Sequence, residues 1–468
     1  MKTQIIKFFF IVLILIIIFQ IIINPIFCIV KIQITPYSLK SGQYRPNDSV
    51  VSLNNQEISQ DKWYRLWGGI SEDTGTDIAT DYNYNILIGG YTYSFGDIGQ
   101  GFIAKYDIMG NLTWSRLWGG PSEDIGNGIA VDHDNNIYLV GYTVIFGHGL
   151  DVFIVKFDAE GNELWNRTWG GSEIDTCYDI DVDSTNHLYL VGYTTSFGFG
   201  GDTFIIKYDT DGNQLWNQTW GGSKKEVAYG LIIDNYNDIY VTGSTNSFGE
   251  SDLDAFLLKY NSSAYLIWNE TWGGLNDDES FSITCDINNN IYITGSTKSY
   301  SINNNSDLMI VKYNTSGHQI WNQIWGGNND DYGQGIFFKN NKCYITGGTK
   351  SFGAGNSDVF LVIYDDYGNQ LSNWTWGGGN CESGSKITVD NENNTYIVGS
   401  TNSLGNGSFD IILIKNYPEF PVPIIPGMVL EFTLISLMIF LVWSVSCLKF
   451  KKFSYNLFFS NFIEKRDE

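Results

Sequence analysis

The sequence contains little proline and few basic residues, and each scarcity excludes a class of protein. Of its 468 residues, 8 are proline, whereas 51 are glycine and 16% are aromatic. This composition is typical of short strands joined by glycine turns and excludes a disordered chain. Lysine and arginine number 27 against 51 aspartates and glutamates, which gives a net charge of −24. A surface this negative repels nucleic acid, so we exclude nucleic-acid binding.

Cysteine and histidine are also scarce. The 6 cysteines include no CxxC pair, so a zinc site has no support and we expect free or partly buried thiols. The 4 histidines occupy unrelated positions, and no serine–histidine–aspartate arrangement appears. We therefore predict that the chain has no catalytic and no cofactor-binding residue. A catalytic site would break the repeat described next at convergent positions, and we find no such break beyond the blade of Lys224-Lys225.

The tripeptide Trp-Gly-Gly occurs seven times at a nearly fixed spacing. Successive copies are 51, 51, 51, 52, 53 and 51 residues apart. A period in this range is typical of repeat architectures, in which one unit buries its apolar surface only by stacking on its neighbours. The copies begin at Trp67, Trp118, Trp169, Trp220, Trp272, Trp325 and Trp376.

Each repeat contains four strand patterns separated by turn residues. In the third repeat they cover 179–183, 188–194, 204–208 and 214–220. Four strands per unit in a radial array predict a β-propeller, here an all-β, seven-bladed one over residues 61–417. Trp165 and Trp169 share one side of a strand. This favours packing between neighbouring blades over an aromatic platform for a ligand.

The chain enters and leaves the repeat region in a way that predicts a closed ring. The repeat region begins at 63–69 with a strand that has the pattern of the fourth strand of a repeat. It ends at 410–416 with a strand that has the pattern of the third, and no fourth strand follows. We therefore predict that strand 63–69 completes the last blade by hydrogen bonding. Closure removes the open blade surface that would otherwise expose apolar side chains.

The repeat units resemble those of the SBBP β-propeller family. The resemblance lies in segments such as 118–132, 136–143 and 151–157, which recur in register over about three quarters of the chain. It implies a seven-bladed propeller in an extracytoplasmic, often surface-anchored prokaryotic protein, mostly without an assigned activity. The proline, apolar helix and basic tail over 426–452 also resemble archaeal surface-sorting tails. Lys224-Lys225-Glu226 and Gln100 depart from the pattern.

The first 30 residues predict a membrane-targeting segment. Residues 8–23 are apolar except for Gln20 and follow Lys2 and Lys7. A basic start before an apolar run is typical of a secretory signal, but no small residues mark a cleavage site near Cys28. Removal as a signal peptide and retention as an N-terminal anchor both stay open. Residues 31–60 are interpreted as a linker.

The C-terminal end predicts a transmembrane helix at 428–448. This 21-residue segment carries a single charge, Glu431, and is long enough to cross the hydrocarbon layer. The lysines that follow it place the tail 449–468 in the cytoplasm and the propeller outside the cell. A tail helix buried in a soluble core is the alternative. Residues 418–427 are rich in proline and predict a stiff stalk.

Acidic residues recur after Trp-Gly-Gly and before the third strand of each repeat. In a propeller of this connectivity, both loops lie on one face, so we predict a ring of carboxylates there. Carboxylate oxygens suit Ca²⁺, and calcium binding by the face as a whole stays open. Because the acids recur in nearly every unit, we favour for the individual residues a carboxylate that binds the backbone N–H groups of its own loop. The predicted weak calcium ligands are Glu72, Asp73, Glu123, Asp124, Asp277, Asp278, Asp330 and Asp331.

Eleven Asn-x-Ser/Thr sequons occur, and outside the cell these accept N-linked glycans. Many arise by chance in a chain rich in asparagine and threonine. The residues Thr168, Thr219 and Thr271 are also good strand residues in their own right. We therefore expect glycosylation in turns or loops, at Asn111, Asn261, Asn314 and Asn406.

These features predict a membrane-anchored cell-surface propeller without catalytic activity. It would bind or adhere through its outward face, to a surface glycan or a protein, or act as a structural component of the envelope. The alternative is a hydrolase or lyase that acts on surface glycans from a propeller scaffold.

Overall fold

The computed structural model describes residues 56–59, 62–96, 98–144, 149–250 and 253–416. The predicted N-terminal segment 1–30, the stalk 418–427, the transmembrane helix 428–448 and the tail 449–468 lie outside the described residues. In the part of the chain that is described, no helix has the length and apolarity needed to span a membrane.

The described residues form seven antiparallel sheets in which the repeats correspond to blades. Blades 1 to 3 consist of β3 (Asp73–Thr80), β4 (Ile86–Thr92), β5 (Gln100–Tyr106), β6 (Leu112–Trp118), β7 (Asp124–Val131), β8 (Ile137–Thr143), β9 (Asp151–Phe157), β10 (Glu163–Trp169), β11 (Asp175–Val182), β12 (Leu188–Thr194), β13 (Asp202–Tyr208) and β14 (Gln214–Trp220). Blades 4 and 5 consist of β15 (Glu226–Ile233), β16 (Ile239–Thr245), β17 (Asp254–Tyr260), β18 (Leu266–Trp272), β19 (Asp278–Cys285), β20 (Ile291–Thr297), β21 (Asp307–Tyr313) and β22 (Gln319–Trp325). Blade 6 consists of β23 (Asp331–Lys339), β24 (Lys342–Thr349), β25 (Asp358–Asp365) and β26 (Gln370–Trp376). Blade 7 is built from β27 (Glu382–Val389), β28 (Thr395–Thr401), β29 (Asp410–Lys415), β2 (Lys62–Trp67) and β1 (Gln56–Ser59).

Blade 7 closes the ring as predicted. Strand β2 pairs antiparallel with β29, from Trp63 opposite Lys415 to Trp67 opposite Ile411. The range 31–60 was predicted as a linker, and β1 within it adds a fifth strand to this sheet by pairing with β2. The N-terminal strand therefore completes the last blade and is itself covered along its outer edge.

The tryptophans pack between blades, which confirms their predicted structural role. Trp169 of blade 2 lies 4.8 Å, between ring centroids, from Phe204 of blade 3. The same contact recurs at 4.9 Å between Trp220 and Phe256 and at 4.8 Å between Trp325 and Phe360. Because the pair recurs at five of the seven tryptophans of the repeat, one kind of aromatic contact joins most successive blades.

The turns on the opposite side of the ring are also built by side chains. In the segment 209–213, the Asp209 carboxylate accepts hydrogen bonds from the backbone N–H of Asp211 at 3.0 Å and of Asn213 at 2.8 Å. The segment is therefore a turn held by the side chain of its first residue. The four cysteines within the described residues are free thiols, and Cys177 and Cys343 are buried.

Candidate functional site

The loops that follow the second and fourth strands of each blade lie on the same face of the ring, here called the front face. Backbone hydrogen bonds join the two kinds of loop, such as that from Asp73 N to Phe409 O at 2.8 Å. Parallel bridges between Leu150 and Ile174 and between Ser357 and Cys381 do the same at other junctions. The predicted sharing of one face is therefore confirmed.

The first strand of every blade begins with a buried carboxylate that holds these loops. In blade 1, Oδ2 of Asp73 accepts hydrogen bonds from Gly69 N at 2.8 Å and from Ser94 Oγ at 2.6 Å. The Thr92 hydroxyl donates to the other oxygen. These contacts are those of the loop-capping alternative. The buried acids are Asp73, Asp124, Asp175, Glu226, Asp278, Asp331 and Glu382.

A second carboxylate faces the first across the leading glycine of Trp-Gly-Gly. At Gly326, an added β-carbon would lie 2.2 Å from Oδ1 of Asp307 and 2.8 Å from Oδ2 of Asp331. Within the described residues, Oδ1 of Asp307 is buried without a hydrogen-bond partner. Burial and the charge of Asp331 raise the pKa of Asp307 to about 6. The carboxylate pair therefore explains why the motif requires glycine at this position.

We predict that Gly326→Ala lowers the free energy of unfolding by about 3 kcal/mol, because the new methyl group overlaps two buried carboxylates. Gly379→Ala is the matched control, since a β-carbon there meets nothing within 4 Å. It should change stability by less than about 0.5 kcal/mol. Denaturant unfolding of the full chain in detergent measures both. Equal stability of the two variants would contradict the steric explanation.

The acidic residues that directly precede these buried carboxylates line the mouth of the ring, which is its opening on the front face. They contact different partners in different blades. Tyr91 donates its hydroxyl to Glu72 at 3.2 Å, and Tyr93 donates to Glu123. The ion pairs Lys298–Asp277 and Lys350–Asp330 measure 2.8 and 3.0 Å. In the residues that the structure describes, no three His, Cys, Asp or Glu side chains cluster as metal ligands would. Calcium binding stays a prediction.

Tyrosines occupy the mouth on blades 1 to 3. Tyr91, Tyr93, Tyr142 and Tyr193 are all half-buried, and the rings of Tyr91 and Tyr93 lie 5.9 Å apart. Burial, followed by the charge of Glu123, raises the pKa of Tyr142 to about 12, so its hydroxyl stays neutral. This tyrosine sector presents aromatic faces beside hydrogen-bonding groups. In the Lys224-Lys225 blade, the Lys225 ammonium lies 5.0 Å from the Tyr193 ring centroid.

Blades 5 and 6 carry a charged cavity on the front face. Its volume is about 370 Å³, and it combines carboxylates, ammonium, hydroxyl and aromatic groups. Burial and the neighbouring charge of Asp277 raise the pKa of Glu279. The lining residues are Asp277, Glu279, Ser296, Lys298, Ser306, Asp330 and Tyr332. The mouth is therefore asymmetric, with tyrosines on one side and lysine–aspartate pairs on the other.

Sequence reasoning missed a polar cluster formed by the innermost strands. Lys386 of blade 7 lies 3.9 Å from Oδ2 of Asp179 in blade 3, and its Nζ donates to Ser282 Oγ in blade 5 at 3.3 Å. The charges of Asp179 and Asp77 raise the pKa of Lys386 in spite of its burial. All four residues follow their repeat tryptophan by ten positions, so aligning the repeats would have revealed them.

Aromatic side chains lie next to this cluster on blades 3 to 5. The ring centroids of Tyr178 and Tyr229 are 5.2 Å apart, and those of Tyr229 and Phe281 are 5.5 Å apart. The corresponding positions on the other four blades hold Thr76, Asn127, Gln334 and Ser385. The inner wall of the ring thus shares the asymmetry of the mouth.

The predicted glycosylation sites occupy turns and loops. Asn111 is exposed, although its Nδ2 donates to Asp107 at 2.8 Å. The amide oxygens of Asn261 and Asn314 cap their own turns by accepting backbone N–H groups. Asn406 is exposed in a front-face loop. Three of these four side chains therefore already have a structural role in a turn.

The blades can now be compared with known repeats. Residues 113–144 and 263–303 match the SBBP β-propeller repeat. The chain therefore contains repeats of the SBBP β-propeller type. Each matched segment runs from the fourth strand of one blade through the first two strands of the next, from blade 1 to blade 2 and from blade 4 to blade 5.

Two curated proteins are similar to short parts of the SBBP propeller. An uncharacterized WD repeat-containing protein, L264, of Acanthamoeba polyphaga mimivirus is 30% identical over 108 residues, which cover 19% of this chain. The regulatory protein FlaEY of Caulobacter vibrioides is 24% identical over 184 residues, or 34% of this chain. The chain spans 8% and 18% of the length of these relatives.

Solved structures resemble the SBBP propeller weakly. The β-propeller domain of the Trilobed protease from Pyrococcus furiosus is 13% identical with a TM-score of 0.41, covering 70% of this chain and 92% of that one. A protein of unknown function from Dyadobacter fermentans is 10% identical with a TM-score of 0.40, covering 69% and 98%.

Proposed function

We propose that the chain is a non-catalytic binding protein displayed at the cell surface, which recognises its ligand through the front face. The main support for the proposal is that the mouth of the ring is asymmetric. The buried carboxylates and the Trp-Gly-Gly motif repeat in every blade, whereas the side chains at the mouth differ between blades 1–3 and blades 5–6. Because a ligand without sevenfold symmetry requires unequal contacts, this variation supports recognition at the mouth.

The contacts of the mouth carboxylates favour binding over catalysis. Asp277 and Asp330 are each paired with a lysine, and Glu72 and Glu123 accept hydrogen bonds from tyrosines. General acid–base catalysis needs a carboxyl group that exchanges its proton with the substrate. Groups already engaged in this way are better suited to position a ligand by hydrogen bonding.

The position of the last described residues supports display of this face. Strand β29 starts at Asp410 on the front face and runs to Lys415 on the opposite, back face. Asn416 follows there and donates its Nδ2 to Asn394 at 2.6 Å, in a back-face turn. A membrane anchor that follows on the back side, as predicted at 428–448, leaves the front face accessible to a ligand outside the cell.

The tyrosine sector favours a surface glycan as the ligand. Flat aromatic faces pack on the apolar side of a sugar ring, and neighbouring carboxylates accept hydrogen bonds from its hydroxyl groups. Tyr91 beside Glu72 and Tyr93 beside Glu123 present this combination twice. A protein ligand is the other candidate that the binding screen has to include.

We predict that Tyr142→Ala weakens ligand binding at least tenfold, which corresponds to about 1.4 kcal/mol. Tyr236→Ala is the control, because Tyr236 is exposed in a turn on the back face. The full chain in detergent is screened against immobilised glycans and proteins, with and without calcium. Saturable binding without turnover supports the proposal. Product formation that is abolished by one loop substitution would instead establish the hydrolase or lyase alternative.

A further inference from the structure

We propose that N-linked glycans cover the outer edges of the blades, at Asn166, Asn217, Asn269 and Asn373. The proposal rests on the proposed export of the propeller, since such sequons are modified in secreted proteins. It differs from the expectation drawn from the sequence, which favoured sequons in turns and loops. The structure points to four sequons that lie within strands.

These four asparagines occupy one position of the blade. Each lies on the fourth strand, which is the outermost strand of its sheet. All four are exposed, and the threonine of the sequon follows two residues later, on the same side of the strand. Their partners on the third strand are equivalent, in the pairs Asn166–Val155, Asn217–Ile206, Asn269–Leu258 and Asn373–Val362.

The outer strands are open sheet edges, which can pair with strands of other chains unless they are shielded. In the described sheets of blades 1 to 6, the fourth strand pairs with the third strand only, so one row of backbone N–H and C=O groups faces outward. Strand β14, with the sequence QLWNQTW, carries no charge. Uncharged edge strands that favour β structure are templates for aggregation.

Exposed aliphatic side chains accompany the sequons. One stands two residues before each asparagine and is about half exposed. The exposed fractions are 52% for Leu164, 48% for Leu215, 47% for Ile267 and 50% for Leu371. A glycan attached next to them would shield this apolar surface from other chains.

The remaining outer edges fit the same interpretation. Asn111, a sequon residue, directly precedes β6, and Asn314, another sequon residue, lies in the turn before β22. In blade 7, strand β1 covers the edge of β2 instead. In blades 1 to 6 each fourth strand therefore has a sequon on the strand or in the turn before it, and in blade 7 the fourth strand β2 is covered by β1.

The modification itself is a group transfer. The side-chain nitrogen Nδ2 of asparagine forms a bond to C1 of a sugar, while the bond between that C1 and the phosphate of a lipid-linked oligosaccharide breaks. The amide loses one proton and the lipid phosphate leaves. A membrane transferase of the producing cell catalyses the step, and the exposed strand presents the acceptor.

Mass spectrometry of peptides from the full chain, isolated from the membranes of the cells that make it, tests the proposal. We expect glycans on the peptides that contain Asn166, Asn217, Asn269 and Asn373. Asn322 is the matched internal control, because it pairs with Val311 at the same position and Ile320 before it is 51% exposed. Ile324 replaces the threonine, so the Asn322 peptide should carry no glycan.

A variant with all four asparagines changed to glutamine measures the protective effect. We expect its aggregated fraction to rise several-fold in sedimentation, whereas Asn322→Gln should behave as the unmodified sequence. Glycans confined to Asn111, Asn261, Asn314 and Asn406 would overturn the edge assignment while supporting export. A chain without glycans would overturn the edge proposal and count against export. Unchanged sedimentation of the fourfold variant would overturn the protective role.

Discussion

Replacing Leu66 by aspartate is expected to destabilise the propeller by about 4 kcal/mol or more, the largest effect that we predict for a single residue. Leu66 lies in β2, the strand that closes the ring, and is 4% exposed. It packs in a cluster with Leu361 and Trp376 of blade 6 and Ile412 of blade 7. The variant loses the burial of an aliphatic side chain and places an unpaired charge in its position.

The destabilisation should exceed that of an ordinary core substitution because Leu66 lies in the strand that closes the ring. Its strand joins the first and last parts of the propeller by pairing with β29. Loss of β2 from blade 7 would expose the apolar edge of that blade as well as the surface of blade 1. The expected result is therefore unfolding that begins at the seam between these two blades.

Thermal unfolding of the full chain in detergent, followed by near-ultraviolet circular dichroism of the tryptophans, measures the change. Leu215→Asp makes the same chemical substitution on an outer strand, where the leucine is 48% exposed. It should alter stability by less than about 1 kcal/mol. If Leu66→Asp proved as stable as Leu215→Asp, the assignment of β2 as the closing strand would be wrong.

Replacing Lys386 by methionine is expected to give a large destabilisation that depends on pH. Burial raises the pKa of both Asp77 and Asp179, and the charge of the Lys386 ammonium, 3.9 Å from Asp179, opposes that rise. Removing one partner of a buried ion pair typically costs about 3–5 kcal/mol, because the remaining charge stays buried. We expect a loss of this size at pH 8.

Acidification should reverse most of this loss. Burial raises the pKa of Asp77 to about 7, above the ordinary value of 3.8. Between these two values the folded protein binds more protons than the unfolded chain, so this group stabilises the fold as the pH falls from 8 towards 4. The contribution is fully present below pH 3.8 and is lost as the pH rises through about 7. Without Lys386 the aspartates protonate more readily, so the variant should approach the unmodified protein at pH 5.

Unfolding in denaturant at pH 5 and pH 8 tests this prediction. Lys342→Met is the control, because Lys342 is exposed at the start of β24 and should tolerate the change at both pH values. If Lys386→Met lowers the free energy of unfolding by the same amount at pH 5 and at pH 8, the loss is due to packing and not to charge.

The repeat made most of the fold predictable from the sequence. The spacing of Trp-Gly-Gly determined the number of blades, and the predicted strands 188–194 and 214–220 of the third repeat have the same limits in the structure. The shared face of the loops followed from the strand order. Strand β1 was not predicted, because Gln56–Ser59 lies outside the repeat and pairs through its position beside β2.

The candidate site was only partly predictable. The recurrence of the acids correctly favoured loop capping for individual residues such as Asp73, whose three hydrogen bonds come from its own front-face loops. The cluster around Lys386 brings together blades 3, 5 and 7, whose residues are far apart in the sequence. Aligning the repeats shows that these residues share one position of the blade. That they contact one another follows only from the closed ring, which brings their strands together.

The pairing of β2 with β29 also sets the order of events when the protein is made. Strand β2 emerges first from the ribosome, and its partner β29 emerges only after the intervening six blades. Contacts between distant parts of a chain form slowly, and an apolar strand that is exposed until its partner has been made can associate with other chains. Biogenesis of this propeller therefore ends with a late closing step, during which a chaperone that shields β2 would be of most use.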